Sequence, residues 1–261
     1  MNVKELFDLS GRTAVITGGY TGIGRQMAEG LAEAGADIVV TARNLEGCAK
    51  TAREIKKSTG VKAHPVKCDV SNPQDVENMV RETVGEFGKI DILVNNAGIA
   101  AGGLPHEMSH EDWESIIKVN LTGTFLCCKE AGKEMIKAGY GKIINVSSIM
   151  GYQTTHLVSA PSYVASKGAV IALTKDLAVR WIPHNIYVNA LAPGWFPTNM
   201  TEPIISSEFM DKGDDLLESI PAKRFGGDDD LKGAAVLLAS RASDYMVGEV
   251  LVVDGGTTSR Y

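Results

Sequence analysis

Tyr163 and Lys167 stand four positions apart in "PSYVASKGAV" (161–170), with nothing bulkier than a valine between them. If the stretch is helical, the two share one face as an i,i+4 pair. A cation beside a phenol favours the phenolate and so lowers a pKa that lies near ~10 in reference peptides. A phenol tuned in this way exchanges protons with a reacting oxygen near neutral pH. The same pair on an ordinary soluble helix merely covers surface, and the rest of the chain must separate the two readings.

A second stretch with chemical content is "TGGYTGIG", Thr17 to Gly24, which runs from an apolar β-branched segment straight into an amphipathic one. Glycines at a strand-to-helix turn let the backbone approach a pyrophosphate, and the helix N-terminus offers unpaired N–H groups and a positive dipole end. Gly18, Gly22 and Gly24 are separated by three residues and then one, so the pattern is T-G-x-x-x-G-x-G and not G-x-G-x-x-G. The second apolar run ends in "TARN" (41–44). An acid there would accept from a ribose 2′-hydroxyl and repel a 2′-phosphate, whereas Arg43 beside Ala42 welcomes the phosphate. NADP is therefore favoured over NAD, although the glycine loop carries Tyr20 and Thr21 in place of a second base, and Arg43 also reads as a plain surface charge.

These groups need a scaffold, and the pattern supplies one. Short β-branched runs at 13–17, 37–42, 63–70, 91–96, 142–148, 186–194 and 250–256 are each bounded by Gly, Pro, Asn, Asp or Ser, as strands buried on both faces of a parallel sheet are. Amphipathic helical patterns alternate with them, at 24–36, 44–58, 72–88, 109–139, 162–181 and 228–243. Ser71-Asn72-Pro73 is a good helix start. Alternating strand and helix implies right-handed crossovers and a single-domain, doubly wound α/β fold of the Rossmann type, with about seven strands and helices on both faces. The stretch 195–226 breaks the rhythm and reads as a substrate lid within the one domain, 1–261.

Composition narrows the function. A chain of 261 residues with 44% hydrophobic and 22% charged residues is globular, and a net charge of −6 without any basic run argues against nucleic acid as a partner. No window has the length and apolarity of a membrane span, and the start "MNVKELFDLSGR" resembles neither a secretory signal nor a transit peptide, so a cytoplasmic protein is expected. Cys48, Cys68, Cys127 and Cys128 lack a Cys-x-x-Cys spacing and read as free, mostly buried thiols; no metal site is expected.

Taken in order, "TGGYTGIG", "NNAG" (95–98), Asn120, Ser148, "YVASK" (163–167), "PG" (193–194) and "VDGG" (253–256) resemble the motifs of the short-chain dehydrogenase/reductase family, over nearly the whole chain. The resemblance implies an NAD(P)-dependent enzyme that interconverts a secondary alcohol and a ketone. It makes Tyr163 the general acid/base, with Lys167 lowering its pKa and holding the nicotinamide ribose. Ser148 orients the reacting oxygen, and Asn120 forms a kink that anchors a water leading protons to Lys167. The cofactor set it implies comprises Gly18, Tyr20, Thr21, Gly22, Ile23 and Gly24 of the glycine loop, then Arg43, and Asp69 and Val70 near the adenine. Asn96, Ala97 and Gly98 lie beneath the dinucleotide, and Pro193, Gly194, Phe196 and Thr198 complete the set with Tyr163 and Lys167. Ser148, Gln153, His156, Tyr163 and Trp195 are the substrate candidates.

Ser148 and Tyr163 are 15 positions apart, about two more than in many relatives, so the intervening loop is expected to shape specificity. Tyr187 stands where many relatives carry Arg. Within the family, "LFDLSGRTAVITGG", "VVTARN" and "APGWFPTNMT" look most like gluconate 5-dehydrogenase-type and related sugar-acid or polyol members. The rivals are a 3-oxoacyl thioester reductase and a ketone or hydroxysteroid reductase; a non-catalytic nucleotide-binding protein is disfavoured because Tyr163 and Lys167 are both present. The resemblance also implies a homotetramer.

Overall fold

A computed structural model describes residues 2–155, 157–205 and 216–259. Its centre is one seven-stranded sheet in the order β3-β2-β1-β4-β5-β6-β7, with every pairing parallel. The strands are β1 (Thr13–Thr17), β2 (Asp37–Ala42), β3 (Ala63–Lys67), β4 (Ile92–Asn95), β5 (Gly141–Val146), β6 (Ile186–Pro193) and β7 (Val250–Val253). All seven correspond to expected runs. Several end earlier than expected: β3 stops at Lys67, and Asp69 has already turned away to cap its own loop through Ser71.

The continuous apolar runs are explained by burial on two faces. Ile16, Val40, Val94 and Ile144 belong to one core cluster, with Met27 and Leu31 of α2 (Gly22–Glu33). Their sequence neighbours Val15, Val39, Leu93 and Ile143 belong to the other, with Met79 of α4 (Pro73–Phe87) and Cys127 and Met135 of α6 (Gly123–Ala138). The pleat alternates side chains between faces, so a strand covered on both sides needs an apolar residue at every position.

Local signals set the helix ends. Asn44 caps α3 (Leu45–Thr59) by accepting from the Gly47 N–H, and Asn72 caps α4 by accepting from the Gln74 N–H with Pro73 at the first helical position. Gly60, Gly88 and Gly139 close α3, α4 and α6 in the left-handed conformation that only glycine adopts without cost. The pattern at 109–139 is not one helix. It divides into α5 (His110–Ile117), a π turn over Lys118–Thr122 and α6, so that Asn120 sits where the helix widens. Further helices are a short α1 (Val3–Phe7), α7 (Pro161–Trp181), a single turn α8 (Glu202–Ile205) and α9 (Lys232–Ala239), the last starting later than the pattern at 228–243 suggests.

The topology dictates where a ligand goes. The chain runs outward from β1 to β3, then returns to start β4 on the other side of β1, which leaves a crevice at the carboxyl ends of β1 and β4. At the opposite, amino-terminal end, the fully buried Lys142 donates to Asp244 Oδ1 (2.8 Å) and Ser243 Oγ (3.1 Å). Its ammonium lies 3.8 Å from the centroid of the Tyr187 ring. Tyr187 therefore serves here as the aromatic face over a buried cation, which accounts for a phenol at a position where arginine was the alternative. Burial pushes the Lys142 pKa down while Asp244 pulls it back up.

Removing Asp244 strands that cation. Asp244→Ala is expected to lower the unfolding free energy by about 1–2 kcal/mol, and Lys142→Met, which removes the charge, by less. Urea denaturation of both variants and their combination tests this, and equal losses from the two single variants would contradict the buried-cation account.

Candidate active site

The glycine loop is held open by close contacts. Gly18 has φ 64° and donates its N–H to the Thr41 carbonyl at 2.7 Å. A Cβ on Gly24 would collide with the Asn96 side chain and the Gly18 carbonyl oxygen. Asn96 fills that space because its Nδ2 donates to the carbonyls of Thr17 (2.9 Å) and Gly18 (3.2 Å). Thr17 Oγ1 in turn accepts from the backbone N–H groups of Asn96 and Ala97, both at 3.0 Å. The end of β4 and the loop after β1 are thus one hydrogen-bonded unit. Asn95 does different work inside the sheet, where Nδ2 donates to Asn145 Oδ1 at 2.8 Å.

Helix α2 begins directly under this loop, and its N-cap Thr21 makes no side-chain capping bond. The first N–H groups of the helix are therefore available to an anion, with the helix dipole behind them. A cavity of about 550 Å³ runs from here along the carboxyl ends of the strands. Gly18, Tyr20, Thr21, Gly22, Ile23 and Gly24 line it at one side, and Arg43, Asp69 and Val70 at one end. Asn96, Ala97 and Gly98 line its middle, and Tyr163, Lys167 and Thr198 the remainder. Bare glycine backbone, an uncapped helix start and this volume fit a dinucleotide bound through its pyrophosphate.

At the far end α7 presents Tyr163 and Lys167 on one face, as the spacing predicts. The Lys167 ammonium is 5.6 Å from the Tyr163 ring centroid and donates to the Val146 carbonyl at 2.8 Å. Ser147 Oγ donates to the Lys167 carbonyl at 2.8 Å, so helix and strand end are bonded in both directions. Ser148 Oγ accepts from the Met150 N–H at 3.1 Å and lies near enough to the Tyr163 phenol to pull its pKa down, although Ser148 is not itself part of the cavity lining. Asn120 sits behind, its Oδ1 accepting from the Ile99 N–H and its Nδ2 donating to the Ile99 carbonyl, both at 2.9 Å, and to Ser166 Oγ at 3.1 Å. Gly98 lets these groups close together: a Cβ there would lie 3.3 Å from Asn120 Oδ1 and 3.6 Å from the Lys167 ammonium.

The electrostatics correct one expectation. Burial pushes the Tyr163 pKa up, with the Ser148 hydrogen bond pulling partly back, so the phenol is not lowered as the lysine spacing suggests. Burial also brings Lys167 down to about 8. At the other end of the cavity, partial burial pushes Asp69 up, but hydrogen bonds from Ser71 and the charges of Arg43 and Lys118 outweigh it and hold the carboxyl below its usual range.

Other sequence candidates lie elsewhere. Among the described residues Pro193, Gly194 and Phe196 do not line the cavity: Pro193 pairs with Val253 in the sheet, Gly194 packs on Asp254, and Phe196 is buried against Gly226. Trp195 is also absent from the lining and is buried with Ile149, Met150, Ala160 and Ile220. Gln153 is exposed, and His156 lies outside the described residues. Sequence reasoning missed Cys68, Ile99, Ala100, Val119 and Ser147, which do line the cavity. The signal was available, since each adjoins a predicted strand end or motif residue.

Gly24→Ala tests the cradle. With Asn96 forced out of place, binding of NADP is expected to weaken by about ten-fold or more, equivalent to ~1.4 kcal/mol, while the fold is kept; fluorescence titration and circular dichroism measure the two.

Comparison with known proteins agrees with this geometry. A profile of the enoyl-(acyl carrier protein) reductase family matches residues 18–258. The chain is 42% identical to the 2-dehydro-3-deoxy-D-gluconate 5-dehydrogenase of Bacillus subtilis over 99% of both chains. It is 40% identical to the 3-oxoacyl-[acyl-carrier-protein] reductase of Aquifex aeolicus, over 95% of this chain and 98% of that one. The crystal structure of a gluconate 5-dehydrogenase from Burkholderia cenocepacia in complex with NADP and tartrate superposes with a TM-score of 0.93, at 40% identity over 100% of both chains. An open parallel sheet with a glycine cradle at its switch point, a tyrosine and lysine one turn apart on α7, and relatives of this kind along its full length make the chain an NAD(P)-dependent oxidoreductase of the short-chain dehydrogenase/reductase family.

Proposed function

We propose that the protein oxidises a secondary alcohol, or reduces the matching ketone, on a sugar acid or related polyol, with gluconate at its 5-position as the best representative. The observation that carries the reaction is the meeting of Tyr163 and Lys167 in the lining of the nucleotide cavity, with Ser148 beside the phenol. Tyr163 gives the proton to the substrate oxygen in reduction and takes it in oxidation. Ser148, beside that phenol, donates to the same oxygen and orients it. Lys167 faces the ring with its charge, which opposes the upward push of burial on the phenol without overcoming it. Asn120 fixes the strand-end loop beside them and gives the π turn its place at Lys167's back. The nicotinamide dinucleotide, when bound, supplies or accepts the hydride.

NADP is the preferred cofactor in this reading. Arg43 lines the adenine end, is exposed and has no hydrogen-bond or ion-pair partner among the described residues, so its guanidinium is free for a 2′-phosphate. The Burkholderia relative holds NADP. The sugar-acid preference is supported by the relatives that act on gluconate and its dehydro-deoxy derivative. The thioester reductase reading stays as the competitor because a relative of that kind is nearly as similar. Residues 195–226 act as the substrate lid, of which 206–215 lie outside the described residues.

The protein assembles as a homotetramer, with α7 and its neighbour forming one interface, where Phe125, Ile136 and Val179 are exposed apolar side chains of α6 and α7, and the C-terminal strand region 248–256 forming another. It works in the cytoplasm, where its four unpaired thiols stay reduced. No described helix is long and apolar enough to cross a membrane. A sedimentation experiment giving a stable monomer would refute the assembly.

Tyr163→Phe is expected to reduce turnover by at least ~100-fold while leaving NADP affinity unchanged, in line with loss of a general acid/base; retained turnover removes Tyr163 from the reaction. Reductive kcat should fall as pH rises through about 8, because Lys167 then loses its proton. A reductive profile flat across that value would separate Lys167 from the proton transfer. A screen of gluconate, polyols, acetoacetyl thioesters and steroids with NADP and with NAD decides between substrate classes.

A further inference from the structure

Two loops frame the cavity on the side of Tyr163. One follows β4, from Gly98 to Leu104, and its Ile99 and Ala100 line the cavity. The other precedes α7. Its residues Leu157, Val158 and Ala160 pack in the apolar cluster that also holds Tyr163 and Trp195.

The first loop is pinned at two points of the same construction. Both backbone polar groups of Ile99 are bonded to the amide of Asn120. Both backbone polar groups of Gly103 are bonded to Ser159: the Gly103 N–H donates to the Ser159 carbonyl at 3.0 Å, and Ser159 Oγ donates to the Gly103 carbonyl at 2.8 Å. Between the pins run only Ala100, Ala101 and Gly102, a strap of small residues. One end of the strap is therefore fixed to the catalytic side of the π turn, and the other to the apolar cluster from which Tyr163 projects. Ile99 and Ala100 share the cavity lining with Tyr163, so a substrate held at that phenol occupies the space that the start of the strap bounds.

We propose that Ser159 is a positioning residue for substrate, holding the 100–102 strap at a set distance from Tyr163 through its paired hydrogen bonds with Gly103. Its hydroxyl is exposed and touches neither the nucleotide cradle nor the proton-transfer groups. The expected signature is thus a change in substrate binding without a change in cofactor binding. This inference rests on Tyr163 being the proton donor, which Tyr163→Phe tests separately.

The experiment compares Ser159→Ala and Ser159→Thr with the unaltered protein, using gluconate and NADP, or an acetoacetyl thioester and NADPH should gluconate not turn over. Loss of the hydroxyl is expected to raise the substrate KM by about five-fold, the effect of one ordinary hydrogen bond, with kcat and the NADPH dissociation constant within about two-fold. Ser159→Thr, which keeps the hydroxyl, should restore KM. Hydrogen exchange, which needs no substrate, should quicken in Ser159→Ala at the amides of 101–104 and nowhere in the glycine loop. An unchanged KM in Ser159→Ala, a threonine variant that behaves like the alanine one, or unaltered exchange in 101–104 would each overturn the proposal. Turnover that survives in Tyr163→Phe would instead remove the reading on which it rests.

Discussion

Everything at this site depends on how a buried ammonium is satisfied. Lys167 is almost wholly enclosed, and its one hydrogen-bond acceptor among the described residues is the carbonyl of Val146, the last residue of β5. A buried charge without a partner is expensive, so the strand must end where the helix delivers the amine. Ser147 bonds back to the carbonyl of Lys167, and Gly151 removes the side chain that would strike the same peptide. Register between β5 and α7 is thereby set to within one residue, and with it the separation of Tyr163, Ser148 and the end of the nucleotide cavity.

The same economy of polar groups explains the rest of the crevice. Neighbouring asparagines at the end of β4 point to opposite sides because the pleat alternates. Asn95 goes into the sheet to meet Asn145, while Asn96 goes into the glycine loop and occupies the space that Gly24 leaves. The π turn has a related cause. Asn120 satisfies both polar groups of Ile99 only if its amide reaches across the gap between helix and strand end, and the widened turn over Lys118–Thr122 puts it there.

Much of this was readable from the chain. Buried parallel strands announce themselves as unbroken apolar runs, so all seven were visible, and the glycine spacing and the Tyr163–Lys167 interval mark both ends of the cavity in the sequence alone. Illegible features share a physical character: they depend on contacts between segments far apart in sequence. Nothing local to Phe196 or Trp195 says that these aromatics turn into cores beneath the cavity. The kink at Asn120 is implied by the family resemblance and not by the apolar pattern over 109–139, which reads as one continuous helix although a π turn interrupts it. The Tyr163 phenol was expected to be lowered by its lysine, but spacing on a helix does not reveal enclosure, and enclosure proved the larger influence.

The packing of the two cores has an outcome for the sulfur chemistry. All four cysteines are buried and unpaired, and burial lifts their thiols: Cys48 to about 11, Cys68 and Cys128 to about 12, and Cys127 well above the ordinary thiol value. Alkylating reagents attack the thiolate and need access to it. They therefore reach this chain only when a segment opens, which turns four inert side chains, on α3, on α6 and in the loop after β3, into built-in reporters of where and how fast the native structure breathes.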